Sequence, residues 1–176
     1  MKAYAYPLEL LADHVGRHPE RPYLHQPVNR VWRTFTWREV DTQARRLASG
    51  LRAQGYEAGD RIAILSKNCA EWFIADFAIM MAGLVSVPIY PTASAATIRY
   101  VLEHSEARAI FLGKLDATEP ADEAIGVACG IAGTALIANP PCWWSSWHRS
   151  CGSCCARAPR CHGWSWRSRP ARSSPT

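Results

Sequence analysis

Cysteine and histidine crowd one end of this chain: Cys142, His148, Cys151, Cys154, Cys155, Cys161 and His162 all fall within the last 35 residues. A structural zinc ion needs four deprotonated ligands in a tetrahedron, drawn from two separated pairs. Only Cys151 and Cys154 have that knuckle spacing. Cys154 and Cys155 are neighbours that would both have to turn toward one ion, so no metal ligand is assigned. The same Cys151-Gly-Ser-Cys154 lacks the preceding strand that a redox dithiol needs. Gly126-Val-Ala-Cys-Gly130-Ile-Ala-Gly133 is the nearest approach to a phosphate-binding loop. It has neither the G-x-G-x-x-G spacing nor a Gly-Lys-Ser/Thr, so no cofactor-binding residue is assigned. His14, His18, His25 and His104 are scattered, with no Ser or Cys at a spacing that would make a nucleophile–base pair. Cys69 reads as a small core residue. Asp76, set in an apolar stretch, reads as a hydrogen-bonded structural carboxylate and is the body residue to watch. No catalytic residue is assigned anywhere.

The elements that would have to position chemistry are legible up to about residue 112. Leu8, Leu11, Ala12 and Val15 repeat at helical spacing and Pro19 and Pro22 end the run. Tyr23–Gln26 and Val31–Thr36 read as strands joined by a turn over Pro27-Val28-Asn29-Arg30. Thr36-Trp37-Arg38-Glu39 fits a capping box, opening a helix whose apolar stripe is Val40, Ala44, Leu47, Ala48 and Leu51 and whose left-handed cap is Gly55. Arg61–Ser66 is a continuous apolar run, as in a strand covered on both faces. Asn68 with Glu71 can cap a helix from Cys69 to Ala82, apolar almost all round and therefore buried between layers. Leu84–Tyr90 is a strand in which Pro88 disfavours a central place. Ser94 caps a helix carrying Ile98, Val101 and Leu102, and Arg108–Leu112 is a third strand. Strand, helix, strand, helix, strand implies parallel pairing. The fold class is α/β, a partial doubly wound parallel sheet followed by an irregular C-terminal tail.

The tail differs from the body in composition. Residues 1–126 hold 14 Lys and Arg against 15 Asp and Glu, whereas residues 127–176 hold 6 Arg, no Lys and no acid. The basic balance of the whole chain thus belongs to its last 50 residues, and a nucleic-acid or acidic-membrane reading of the whole molecule has no support. Ala, Gly, Pro, Arg, Ser, Cys and Trp fill 41 of those 50 positions. Codons of G and C alone encode the first four, and the body prefers Arg to Lys by 11 to 3, so the pattern suggests out-of-frame translation of a GC-rich gene from near Gly126. Ile125–Ala138 is an uncharged run of 14 residues, about 21 Å as a helix and too short to span a bilayer. The amino terminus has no signal-peptide core. With one body cysteine, a reducing cytoplasm is expected.

The stretch TFTWREVDTQARRLASGLRAQGYEAGDRIAILSKNCAEWFIADFAIMMAGLVSVPIYPTASAATIRYVLEHSEARAIFLG, residues 34–113, resembles the amino-terminal part of AMP-forming acyl-CoA synthetases. Its VPIYPTASAATIRYVLEHSEAR segment is most similar to the long-chain fatty-acid–CoA ligases. The resemblance covers about residues 5–120. It implies activation of a fatty acid by ATP through an acyl-adenylate, with Mg²⁺ neutralising phosphate charge, followed by transfer to coenzyme A. The family's phosphate loop, Y-T-S-G-S/T-T-G-x-P-K-G, has no match in this chain, nor do its ribose-gripping aspartate and catalytic lysine.

The resulting expectation is an amino-terminal fragment of an AMP-binding ligase domain over 1–115, an acidic linker over 116–126 and an out-of-frame tail over 127–176. Fatty acid and coenzyme A are the implied partners, while ATP, Mg²⁺ and coenzyme A are expected not to bind this fragment by itself. A cytoplasmic location with peripheral membrane contact, and self-association through an exposed sheet edge, complete the reading. The alternative from another class is a small noncatalytic protein whose Cys/Trp/Arg-rich tail binds a membrane surface, a metal or a partner.

Overall fold

The computed structural model describes residues 6–28, 30–113 and 115, together with the backbone of 135–137. All of them lie in the first of two units, Met1–Asn139. The Cys142–His162 cluster and the whole glycine-rich stretch Gly126–Gly133 are outside the described residues.

Helix α1 (Pro7–Arg17) starts on a proline, whose missing N–H is no loss at that position, and buries Leu11. Strands β1 (Pro22–Val28) and β2 (Val31–Thr36) form an antiparallel hairpin. Its turn is tighter than the Pro27–Arg30 turn the sequence suggests: Val28 pairs with Val31, leaving a two-residue connection with Arg30 at φ 66°. Pro27 can stay in the strand because β1 has a partner on one side only, and an outward N–H is free to be missing. At the hairpin's root the register slips between Pro22 and Leu24, a bulge that leaves Tyr23 over. The Tyr23 ring stacks on Trp37 at 3.6 Å, and His14 stacks on the same indole at 4.4 Å, tying α1, the hairpin and the next helix together.

Helix α2 (Trp37–Ala53) opens on the capping box read from the sequence. The Glu39 amide donates to Thr36 Oγ1 (3.2 Å), and the Thr36 amide donates to Glu39 Oε2 (2.8 Å). Gly55, just past its end, takes φ 82°. Helix α3 (Ala70–Met81) packs along α2 on one side and against the sheet on the other, which is why it is apolar almost all round. Its start differs from expectation. Cys69 is the N-cap and no side chain of its own turn caps it. Instead the Ala70 amide donates to Gln26 Oε1 of the hairpin (3.1 Å), a long-range cap invisible to local pattern.

Strands β3 (Arg61–Leu65), β4 (Val85–Ile89), β5 (Ala109–Leu112) and β6 (Ala135–Ile137) form a wholly parallel sheet in the order β4-β3-β5-β6. The fourth strand is additional to the three read from the sequence and lies within the segment that composition assigns to the tail. Helix α4 (Ala95–Ser105) is capped by Ser94, whose Oγ accepts from the Thr97 amide (3.2 Å). Ile98 and Leu102 of α4 pack on Ala63, Leu65, Ile110 and Leu112. The alternate residues Ile62, Ile64, Ala109 and Phe111 are equally buried and face the side of α3. The sheet is thus covered on both faces, as in a doubly wound fold. Val85 N–H donates to Asp60 O on the β3 side (2.9 Å), so alternation turns position 88 outward, and Pro88 removes a donor from that edge.

Candidate functional site

In open α/β sheets ligands gather outside the carboxyl ends of the strands, where the chain reverses its direction of travel across the sheet. Here that point lies between β3 and β5, since β3 leads leftward to β4 and β4 crosses back to β5. Ser66 follows β3 and Gly113 follows β5. Ser66 is buried, its hydroxyl donates to Lys67 O (2.9 Å), and its Oγ lies 3.8 Å from Cys69 Sγ. The Gly113 amide donates to Leu65 O (3.0 Å), which draws the two strand ends together. A Cβ on Gly113 would overlap Ser66 Oγ and Cβ. The crevice is closed by serine packed on glycine.

Its chemistry follows from these contacts. The Ser66 hydroxyl gives its proton to the Lys67 carbonyl, which is an acceptor and not a base. Burial pushes the Cys69 thiol above its ordinary value, only partly offset by hydrogen bonds from the Trp72 backbone and Ser66, so it stays protonated and a poor nucleophile. The amino terminus of α3 points to the strand ends, but its first amide is taken by Gln26, and that of α4 is capped by Ser94. Among the described residues no three His, Cys, Asp or Glu come together as a metal site.

The histidines singled out in the sequence stay apart. His14 stacks on Trp37, His18 closes α1 through its amide to His14 O (2.8 Å), His25 Nδ1 is 3.1 Å from Thr34 Oγ1, and His104 stacks on Tyr100. Asp76 is half-buried in α3. The more secluded carboxylate is Asp41, which sequence reasoning missed: it is 8 % exposed in α2. Its Oδ2 accepts from Arg45 Nε (2.8 Å), a bond that raises the Arg45 guanidinium further above its usual range, while Oδ1 is buried with no protein partner. Asp41 borders a groove of about 410 Å³ with Arg45, Ser49, Arg52, Leu8 and Met81. Arg52 donates to Met81 O at the end of α3, so these polar groups stitch the helices together. The signal for Asp41 was spacing: positions 41, 44, 48 and 51 share one helical stripe.

Against known proteins, residues 11–141 match the family described as AMP-binding enzyme. The long-chain-fatty-acid–CoA ligase FadD15 of Mycobacterium bovis is 40 % identical over 102 residues, 58 % of this chain and 17 % of that protein. Long chain acyl-CoA synthetase 1 of Arabidopsis thaliana is 35 % identical over 82 residues, 47 % of this chain and 12 % of its own. The crystal structure of coronafacic acid ligase from Pectobacterium brasiliense aligns with TM-score 0.63 over 74 % of this chain and 25 % of that one, at 21 % identity, a likeness of fold. This chain thus spans less than a fifth of the curated relatives it matches. The match runs without interruption from α1 through the whole parallel sheet to just beyond β6, and by that extent the chain belongs to the AMP-binding enzyme family.

Proposed function

We propose that this chain is the amino-terminal portion of a long-chain fatty-acid–CoA ligase, whose complete form activates a fatty acid with ATP and passes the acyl group to coenzyme A. The observation that carries this reading is the 40 % identity to FadD15 over 102 residues, 58 % of this chain. By itself the 176-residue chain performs neither step. Adenylyl transfer from ATP needs backbone amides and cations aimed at the triphosphate, and the phosphate loop that supplies them in the family has no match in this sequence. What the segment contributes to a complete ligase is a buried parallel sheet on which further strands and the catalytic loops can be built.

The tail is read as an out-of-frame extension. The change of composition near Gly126 supports a change of frame there. Any self-association runs through the β6 edge, since Pro88 blunts the β4 edge. The implied location is the cytoplasm.

The test is ATP–pyrophosphate exchange with palmitate on the recombinant chain, beside sequencing of the gene through codons 116–180 in all three frames. No exchange, with another frame continuing into a Ser/Thr/Gly-rich stretch that ends in Pro-Lys-Gly, is the expected result. Exchange above background refutes the inactivity, and confirmation of the present frame with no such continuation refutes the frame change.

A further inference from the structure

The far end of the hairpin has no role in the ligase reading, and its composition is unlike the rest of the body. Val28 pairs with Val31 on one face of the ribbon and Pro27 pairs with Trp32 on the other. Val31 and Trp32 are each 69 % exposed and Val28 is 40 % exposed. A ribbon resting on a protein surface needs one apolar face, whereas here both faces are apolar at the tip, and the medium that solvates both at once is one that surrounds it. Between Arg21 and Arg38 the chain carries four arginines and no acidic residue, although residues 1–126 as a whole are slightly acidic. Of these, Arg38 is paired with Glu20 (2.6 Å) near the root. Arg30 sits in the turn itself, and Arg33, which pairs with Gln26 one step below the tip, lies over the Phe35 ring at 4.3 Å.

We propose that the β1–β2 tip, through Pro27, Val28, Val31 and Trp32, inserts into the headgroup region of an anionic bilayer, with Arg30 and Arg33 on lipid phosphates. Tryptophan settles at that depth because its ring is apolar and its N–H still reaches water or a headgroup. The arginines keep their charged ends at the surface while their stems follow the apolar tip inward. The inference rests on the hairpin's own residues and stands apart from the ligase reading.

The experiment uses the whole chain with vesicles of phosphatidylglycerol and phosphatidylcholine, against vesicles of phosphatidylcholine alone. Because the basic tail can itself attract anionic lipid, the readout is local: the emission of the chain minus that of Trp32→Phe, measured with brominated acyl chains as quencher. The expected result is quenching of the Trp32 component in anionic vesicles. Arg30→Glu with Arg33→Glu lowers partitioning by at least tenfold, each arginine near an anionic surface being worth roughly fivefold. Both substitutions leave the far-ultraviolet dichroism unchanged, since these side chains are exposed. Binding with the Trp32 component unquenched, or no binding, overturns the proposal. So does shielding of Trp32 from aqueous acrylamide that grows with protein concentration in the absence of lipid, the mark of a second copy docking on the tip.

Discussion

Along β3, Ile62, Ala63, Ile64 and Leu65 are all buried, whereas of the six residues of β2 only Phe35 is. The parallel strand is covered by α4 on one face and by the α3 side on the other, so successive residues, pointing opposite ways, all leave water. The hairpin is anchored below its tip. At the root Phe35 is enclosed and Tyr23 stacks on Trp37, and Gln26, one step below the tip, caps α3; beyond it, at Val28 and Val31, the chain runs out into solvent. Strands of similar apolar content thus do different work. One strand holds the fold together, and the other is held in place by it. The largest expected difference is therefore between core and tip. Ile64→Ala costs about 3 kcal/mol, the lost transfer energy plus a cavity that the layers cannot collapse into. Val31→Ala changes stability by less than about 0.5 kcal/mol. Urea denaturation followed by dichroism measures both, and comparable losses would break the comparison.

The carboxyl end of the parallel sheet is as tightly built as its interior. A methyl group on Gly113 would overlap Ser66 Oγ and Cβ, so Gly113→Ala costs about 2 kcal/mol as overpacking. Ser66→Gly removes the atoms in the way, and the double variant should recover most of the loss. A double-mutant cycle gives that coupling directly, and additive losses would show that the close approach is not what makes alanine costly.

The residues that were readable in advance share a property: their structural reason lies within a turn or a strand's length. Thr36 and Glu39 declare a capping box three residues apart. Pro88 declares an edge, and the all-round apolar character of residues 70–81 declares a helix between layers. What the sequence hid was fixed by partners far away along the chain. Gln26 caps Ala70 from 44 residues upstream. Gly113 is required by Ser66, and neither residue alone signals the other. Asp41 lies on the stripe of Ala44, Ala48 and Leu51 yet is polar, and an apolar count passes over it. β6 is three residues long with too little pattern to separate it from its uncharged surroundings, and its pairing with β5 is what defines it.

Thr36 stands where the two regions join, as the last residue of β2 and the N-cap of α2. Thr36→Ala frees the Glu39 amide at the start of α2 and should cost about 1 kcal/mol, with Thr36→Ser retaining most of the stability. Because the hairpin hangs from this root, hydrogen exchange of β2 amides should rise along with that of the first turn of α2. A rise confined to α2 would mean that the hairpin holds its shape without the cap, and the dependence drawn above would be wrong.

The smallest effect separates the regions by pH. Burial raises the Cys69 thiol above its ordinary value of 9.0 and the Tyr23 phenol above its ordinary value of 10.0. Both groups are neutral when protonated, and both bind their proton more tightly in the folded chain than in the unfolded one. The stability each contributes is therefore fully present below its unfolded-state value and declines as pH rises through the folded one. Cys69 belongs to the end of the parallel sheet and Tyr23 to the root of the hairpin, so alkali should act on the sheet end first. The melting temperature of the chain should fall gently above about pH 9 and further above about pH 10. Cys69→Ala should flatten the first decline and Tyr23→Phe the second, each relative to the unsubstituted chain. If Tyr23→Phe flattens the lower decline instead, the hairpin root is the first of the two to yield to alkali, and the assignment of the two declines to thiol and phenol is wrong.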